Sequence, residues 1–405
     1  MSWLNIFTAG LNRAHRLLGR LGVILQYEGV IGIYDRIRYP KPFWRRYYPL
    51  SLMRGPVLIE GSDPSAREQI SLSLQKAGLC QSASLPSEYM EIIKINPLIN
   101  DAHHISEKDT LIFIGPQKLS MPDLLPAARR CRAVLSDCSN ILQSLQQHIP
   151  SEKVFSLKGP HALNEGITRY LIATRTIQTR HQHWDTFSDL HELPLRPRIC
   201  LSLPETIERR RNFISIDPGG FRIFDGIKYT PGWIGAAVSF RIMAQACLDQ
   251  KVGPALFCED DIEFAPDFEK RLHVVQTYLE SCDWDVFSGL ITDFGPDYVI
   301  TRVTHFGGEV FVHLNRCVGM VCGIYNHRAL MRLASWTDDI QLAIDRYLEA
   351  SEGLKVVTTL RFLVGHSDSL KSSIWHFNNE RYNNMIKNSE LRLKSLVRDY
   401  EKKNE

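Results

Sequence analysis

The sequence predicts an α/β protein of two domains, and three observations carry that prediction. Short apolar runs of strand length alternate with helix-length segments from residue 55 to residue 380, the rhythm of packed β and α layers. At 405 residues the chain is too long for one ordinary core. The composition, 44% hydrophobic and 23% charged, is that of a globular protein and excludes extended disorder.

Residues 1–54 are basic, with nine Lys/Arg against Glu28 and Asp35. That net of +7, set against +3 for the whole chain, leaves −4 for the remainder, so nothing marks the body as a nucleic-acid binder. Within residues 3–27, Leu4, Phe7, Leu11, Leu18, Leu21 and Leu25 recur at helical spacing, with Arg13, Arg16 and Arg20 largely off that stripe. A basic amphipathic helix beginning near Trp3, followed by the aromatic and cationic stretch Tyr39–Tyr48, suits an anionic membrane interface. The same pattern also suits a helix packed on its own protein or on a second copy. No run of about 20 apolar residues occurs, so no spanning helix is expected. No small-residue cleavage site follows the N-terminal apolar run. The nine cysteines include no CxxC pair and sit largely in strand-like runs, which points to reduced, buried thiols and a cytoplasmic chain.

Residues 55–180 read as a small doubly wound α/β domain. Pro56–Glu60, Glu91–Ile95, Thr110–Ile114, Ala133–Leu135 and Lys153–Leu157 are strand-like. Ser65–Ala77, Asn140–His148 and Leu163–Ile177 are helix-like. With no GxGxxG and no Walker loop, this domain is assigned no nucleotide and is expected to be an accessory or docking unit. The polar, His- and Pro-rich residues 181–197 are expected to be a linker.

Residues 198–380 form the second domain. Strands are expected at Ile199–Leu203, Ala255–Cys258, Asp285–Leu290 and Val310–Leu314, with a further strand or strand pair at Val318–Asn326. Helices are expected from Glu205, over Gly232–Leu248, Pro266–Glu280 and Arg328–Trp336, and at Ile340–Glu349. The tail Asn388–Glu405 is charged, helix-prone and expected at the surface; residues 381–405 are taken as a separate helical tail.

The chemistry concentrates at Glu259-Asp260-Asp261, directly after the apolar run Ala255–Cys258. Three adjacent carboxylates at one strand end raise one another's pKa. A hard divalent cation removes that penalty, filling its shell with one or two carboxylates, water and phosphate oxygens. The triplet therefore reads as a metal and diphosphate site at the carboxyl edge of a sheet; an acidic turn is the alternative. Glu208-Arg209-Arg210-Arg211 follows the first strand, where arginine forks match phosphate geometry. Gly232–Phe240, a glycine-rich helix start, precedes the triplet, and the segments around Asp345, His366–Ser369 and Ser372-Ser373-Ile374 follow it.

This order of motifs resembles glycosyltransferase family 25, the lipooligosaccharide-type sugar transferases, over about residues 198–375. The resemblance implies a Rossmann-like GT-A fold and transfer of a hexose such as galactose from a nucleotide sugar, expected to be UDP-linked, to a cell-surface glycan or glycolipid. It implies Mn²⁺ or Mg²⁺ as cofactor, with Asp261, Glu259 and His366 (or His376) as ligands. It places donor binding on Arg209 or Arg210, Gly235, Ser239, Glu259 and Asp260. The acceptor base is sought among Asp345, Asp368 and Asp293. Three positions depart from the family pattern: Ser202 for Asn, Ala236 for Cys, and Phe240 for His. The last motivates an alternative, an inactive member serving as scaffold or glycan-binding module. A phosphoesterase is a weaker third reading, since no further set of His and Asp ligands is found. With a basic N-terminus, the expected location is cytoplasmic, with peripheral contact on the inner membrane face through residues 1–50.

Overall fold

The structure is a computed structural model. It describes residue 53 and residues 56–79, 91–99, 104–115, 120–178, 183–294, 297–340, 342–367, 370 and 380–404. The expected N-terminal helix and aromatic stretch lie outside the described residues, as do Cys80, Asp368, Ser372-Ser373-Ile374 and His376.

In the first unit, β1 (Val57–Glu60), β2 (Glu91–Ile95), β3 (Asp109–Phe113), β4 (Ala133–Ser136) and β5 (Val154–Ser156) form an all-parallel sheet. Its helices are α1 (Pro64–Lys76), α2 (Met121–Arg130), α3 (Ser139–Gln146) and α4 (Leu163–Ala173). Alternation along the strands sends Ile93, Ile112, Leu135 and Phe155 into one core with Ile70, Leu74, Ile167 and Leu171 of α1 and α4. Leu111, Phe113, Val134 and Val154 meet Leu124 and Leu142 of α2 and α3 in another. Burial on both faces explains why these strands read as unbroken apolar runs. The doubly wound expectation holds only in part. Helices cover both faces, but the strand order β1-β2-β3-β4-β5 is sequential. Without a reversal of order there is no switch-point crevice of the kind that binds ligands in open α/β sheets.

Within the expected linker, residues 183–197 are more than a tether. Phe187, Leu190 and Leu193 are buried in the common core, and Trp184 Nε1 donates to Asp249 Oδ2 at 2.7 Å.

The second unit runs β6 (Arg198–Ser202), α5 (Ile207–Ile216), β7 (Phe221–Asp225), α6 (Gly232–Asp249), β8 (Ala255–Glu259), β9 (Ile262–Phe264), α7 (Phe268–Leu279), β10 (Val286–Ser288), β11 (Ile300–Phe306), β12 (Glu309–Leu314), β13 (Cys322–Tyr325), α8 (His327–Ala334), α9 (Ile344–Glu349), β14 (Val356–Thr359), β15 (Val364–His366) and α10 (Glu380–Asn404). A mixed sheet has the order β11-β12-β14-β10-β13-β8-β6-β7, and β9 pairs with β15 in a separate two-stranded ribbon. Strand β6 lies parallel to both β7 and β8. The chain goes from β6 to β7 on one side and returns through α6 to β8 on the other. The order therefore reverses between β6 and β8, which makes their carboxyl ends the switch point of the sheet.

The tail is docked rather than solvated. Leu393 and Val397 of α10 are buried, Tyr400 Oη donates to Thr301 O at 3.4 Å, and Ser389 Oγ donates to Ile291 O at 2.5 Å. Helix α10 thereby lies along β11, the edge strand of the sheet, which would otherwise present unpaired backbone groups.

All eight described cysteines are free thiols, as expected. Cys200, Cys258 and Cys322 stand in register across β6, β8 and β13, and burial pushes Cys322 up to about 12. Among the described residues no helix is long and apolar enough to cross a membrane.

Candidate functional site

Strand β8 ends where its buried apolar run meets Glu259, and the chain turns through Asp260 and Asp261 before β9 begins. Glu259 lies beside Leu201 of β6, so the turn stands at the switch point. Strand β15 returns from far along the chain to pair with β9, matching His366 with Ile262, and Ser367 N donates to Asp261 O at 2.8 Å. That pairing sets His366 Nε2 3.2 Å from Asp261 Oδ2.

Two side chains from the first β–α passage complete the arrangement. Ser202, the last residue of β6, donates its hydroxyl to Asp260 Oδ2 at 2.7 Å. Arg209, on the first turn of α5, donates Nε to Asp260 Oδ1 at 2.8 Å and places Nη2 3.0 Å from Asp261 Oδ2. Asp260, Asp261, Arg209 and His366 are all buried. Burial acts against the Arg209 charge, but Asp261, Asp260 and Glu259 outweigh it and hold the guanidinium firmly cationic. Burial lifts Asp260 above the usual carboxylate range despite Arg209. Burial also works to raise Asp261, yet Arg209 and His366 prevail and hold it well below that range. In turn Asp261 raises His366 against the effect of burial. For Glu259, burial followed by repulsion from Asp261 outweighs the attraction of Arg209 and His366 and pushes it up to about 8.

Asp261 Oδ1 is buried and has no hydrogen-bond partner among the described residues. Asp261, a deprotonated Glu259 and the neighbouring imidazole of His366 offer a hard-to-borderline donor set of the type that Mn²⁺ and Mg²⁺ accept. The donor chemistry fits the expected cation. The cage is not assembled: among the described residues, no group of three or more His, Cys, Asp or Glu is placed to hold a metal ion. His366 Nε2 and Asp261 are instead joined to each other, and Asp260 is taken up by Ser202 and Arg209.

The structure separates the other expected residues. Arg209 is at the site, but its fork grips carboxylates rather than standing open for phosphate. Arg210 points to Asp225, with Nη2 2.6 Å from Oδ1. Ser239 is used within the fold: its hydroxyl receives Ile227 N at 2.8 Å and donates to Gly235 O at 2.7 Å. A Cβ on Gly235 would stand 2.3 Å from Ile227 O, so this glycine lets α6 approach the segment after β7. Both positions are packing positions. Gly235→Ala is expected to destabilise the fold by about 1–3 kcal/mol, measurable by urea denaturation; an unchanged midpoint would contradict the close approach.

Asp345 opens α9 and is partly buried; burial raises its carboxyl, although Arg346 opposes. Asp293 is raised by burial as well, with Arg346 opposing and Glu349 assisting. Both candidates thus lie in the field of Arg346 and Glu349, which pair at 2.7 Å. Phe240 is a core residue, fully buried with its ring 6.2 Å from that of Phe257. Ser202, which entered the sequence comparison only as a departure, is the residue whose hydroxyl holds Asp260; its place at the strand end beside β8 was the available signal.

No protein-family model matches the chain. No curated protein matches it either.

Proposed function

We propose that residues 198–380 form a GT-A-type domain of a metal-dependent glycosyltransferase. It moves a hexose from a nucleotide sugar, UDP-linked by preference, to a cell-surface glycan or lipooligosaccharide acceptor. One observation carries this reading: the Glu259-Asp260-Asp261 turn stands at the switch point between β6 and β8, with His366 drawn alongside Asp261. The order of motifs across the domain and the mixed sheet built around β6 support the same reading.

Asp261, Glu259 and His366 would hold the cation. When bound, it supplies positive charge to the diphosphate oxygens as the glycosidic bond to the donor breaks. The chain's own groups do the rest. Arg209 and Ser202 fix Asp260 and so hold the turn in place. Asp345 is the preferred acceptor base: burial raises its carboxyl above the usual carboxylate range, which makes it a stronger base than an exposed aspartate. Asp293 is next in order, and Asp368, outside the described residues, remains the third candidate.

A second reading has an observation in its favour. Arg209 and His366 already balance Asp260 and Asp261, so the turn needs no cation to be stable, as in an inactive member acting as a scaffold or glycan-binding module. Incubating the protein with Mn²⁺ and a panel of nucleotide sugars distinguishes the two. Slow, Mn²⁺-dependent release of nucleoside diphosphate from one donor is expected; no release and no thermal shift with any donor supports the scaffold.

The proposed acceptor class and the basic N-terminus support a location at the cytoplasmic membrane surface. Deletion of residues 1–50 is expected to abolish co-sedimentation with phosphatidylserine vesicles, and undiminished co-sedimentation removes that contact.

A further inference from the structure

The first unit contacts the second at the two chain segments that leave β6 and β7, and one side chain joins both. Arg169 of α4 is 3% exposed. Its Nη2 lies 3.1 Å from Glu205 Oε2, in the turn between β6 and α5. Its Nε and Nη2 also donate to Gly226 O, just after β7, at 3.0 and 2.8 Å. Its Nη1 donates to Ser156 O at 3.2 Å, on its own unit. Glu205 is buried too, and accepts Ser156 N at 2.9 Å, while its carbonyl takes Gln146 Nε2 at 3.1 Å.

Each of these two segments leads to Asp260. Glu205 precedes Arg209 by about one helical turn, so the placement of Glu205 sets where α5 starts and where Arg209 points. Gly226 N donates to Ser202 O at 2.9 Å, and Ser202 donates its hydroxyl to Asp260. Arg209 and Ser202 are the two side chains that grip Asp260.

We propose that Arg169 is a positioning residue for the 259–261 turn: the first unit orders the site through the Glu205 and Gly226 segments. The unit is then a structural part of the site in the second domain, although it has no switch-point crevice of its own. Arginine is required because one planar fork meets a carboxylate and a carbonyl at once, which a lysine ammonium does not reproduce.

Lys228 provides the control. It crosses the same junction and donates to Val154 O at 2.7 Å and to Ser151 O, but it is bonded to neither Glu205 nor Gly226. The test compares Arg169→Met, Arg169→Lys and Lys228→Met in the full chain. Two readouts are used: calorimetric affinity for UDP with Mn²⁺, and hydrogen exchange over residues 203–210 and 259–262. Both Arg169 variants are expected to weaken UDP binding about 10- to 100-fold and to raise exchange in both peptides. Lys228→Met is expected to lower stability while leaving affinity and exchange at 259–262 as in the wild type. If Arg169→Met and Lys228→Met behave alike in both readouts, the proposal is overturned. The affinity arm rests on the function proposed above. Should the wild type bind no UDP, that function fails and the exchange comparison alone decides the positioning role: selective loosening at 259–262 upholds it, and equal exchange removes it.

Discussion

Asp261→Asn is expected to reduce sugar transfer at least a thousandfold, about 4 kcal/mol of transition-state stabilisation, and to abolish Mn²⁺-dependent nucleotide binding. The substitution keeps the shape of the side chain and removes its charge. Asp261 is where Arg209, His366 and a buried oxygen with no hydrogen-bond partner among the described residues meet, so no other acid in the turn can take its place. Asp260 is already held by Ser202 and Arg209, and at Glu259 burial and the charge of Asp261 outweigh the attraction of the same cations. Because Asp261 pairs with the buried Arg209 and His366, the variant is expected to be less stable than the wild type by about 1–3 kcal/mol. The kinetic loss exceeds what unfolding of that size produces at 25 °C, since a folded majority persists. Transfer within tenfold of the wild type by a folded Asp261→Asn protein would remove the residue from the chemistry.

Arg209→Met is expected to cost about 3–5 kcal/mol of stability. The guanidinium is the shared counter-charge of Asp260 and Asp261, and both acids are buried. Removing it leaves two carboxylates in contact with protein rather than water, and they must either repel or take up protons. Arg209→Lys keeps the charge but cannot meet both acids with a planar fork, so its stability should fall between those of the methionine variant and the wild type. Urea denaturation of the three proteins measures the order. A midpoint for Arg209→Met equal to that of the wild type would show that the fork contributes nothing to the fold.

The buried strands were legible because both faces of each sheet are covered, so Thr110–Ile114 and Ala255–Cys258 stand out as apolar runs whatever their neighbours. Other elements were hidden for physical reasons. Helix α2 carries Pro122 and Pro126, which locally argue against a helix, yet its N-terminal turn tolerates the first and its Leu124 and Ala127 are buried. Strand β11 has exposed residues along both faces and shows no period-two alternation. Strands β9 and β15 have three residues each and exist only because they pair with each other.

The site divides the same way. Its position was readable from an apolar run that ends in three acids. Its electrostatics were not, because the partners of those acids come from β6, α5 and β15. Arg209 looked like a phosphate-binding fork when only its neighbours in sequence were considered; the fold supplies carboxylates to it first. Gly235 and Ser239 looked like ligand contacts, whereas Gly235 admits the close approach of Ile227 O and Ser239 accepts from Ile227 N. The replacement at Phe240 looked like the loss of a polar site group, but the side chain lies in the core against Phe257.

The most direct measurement is diffraction from crystals grown with MnCl₂ and UDP, using the anomalous signal of manganese to locate the ion. The account predicts a peak within coordination distance of Asp261 and His366, about 2.0–2.2 Å from the ligating atoms, with diphosphate oxygens completing its shell. A manganese peak elsewhere, or UDP bound away from the carboxyl ends of β6 and β8 with Asp261 still closed onto Arg209 and His366, would contradict it.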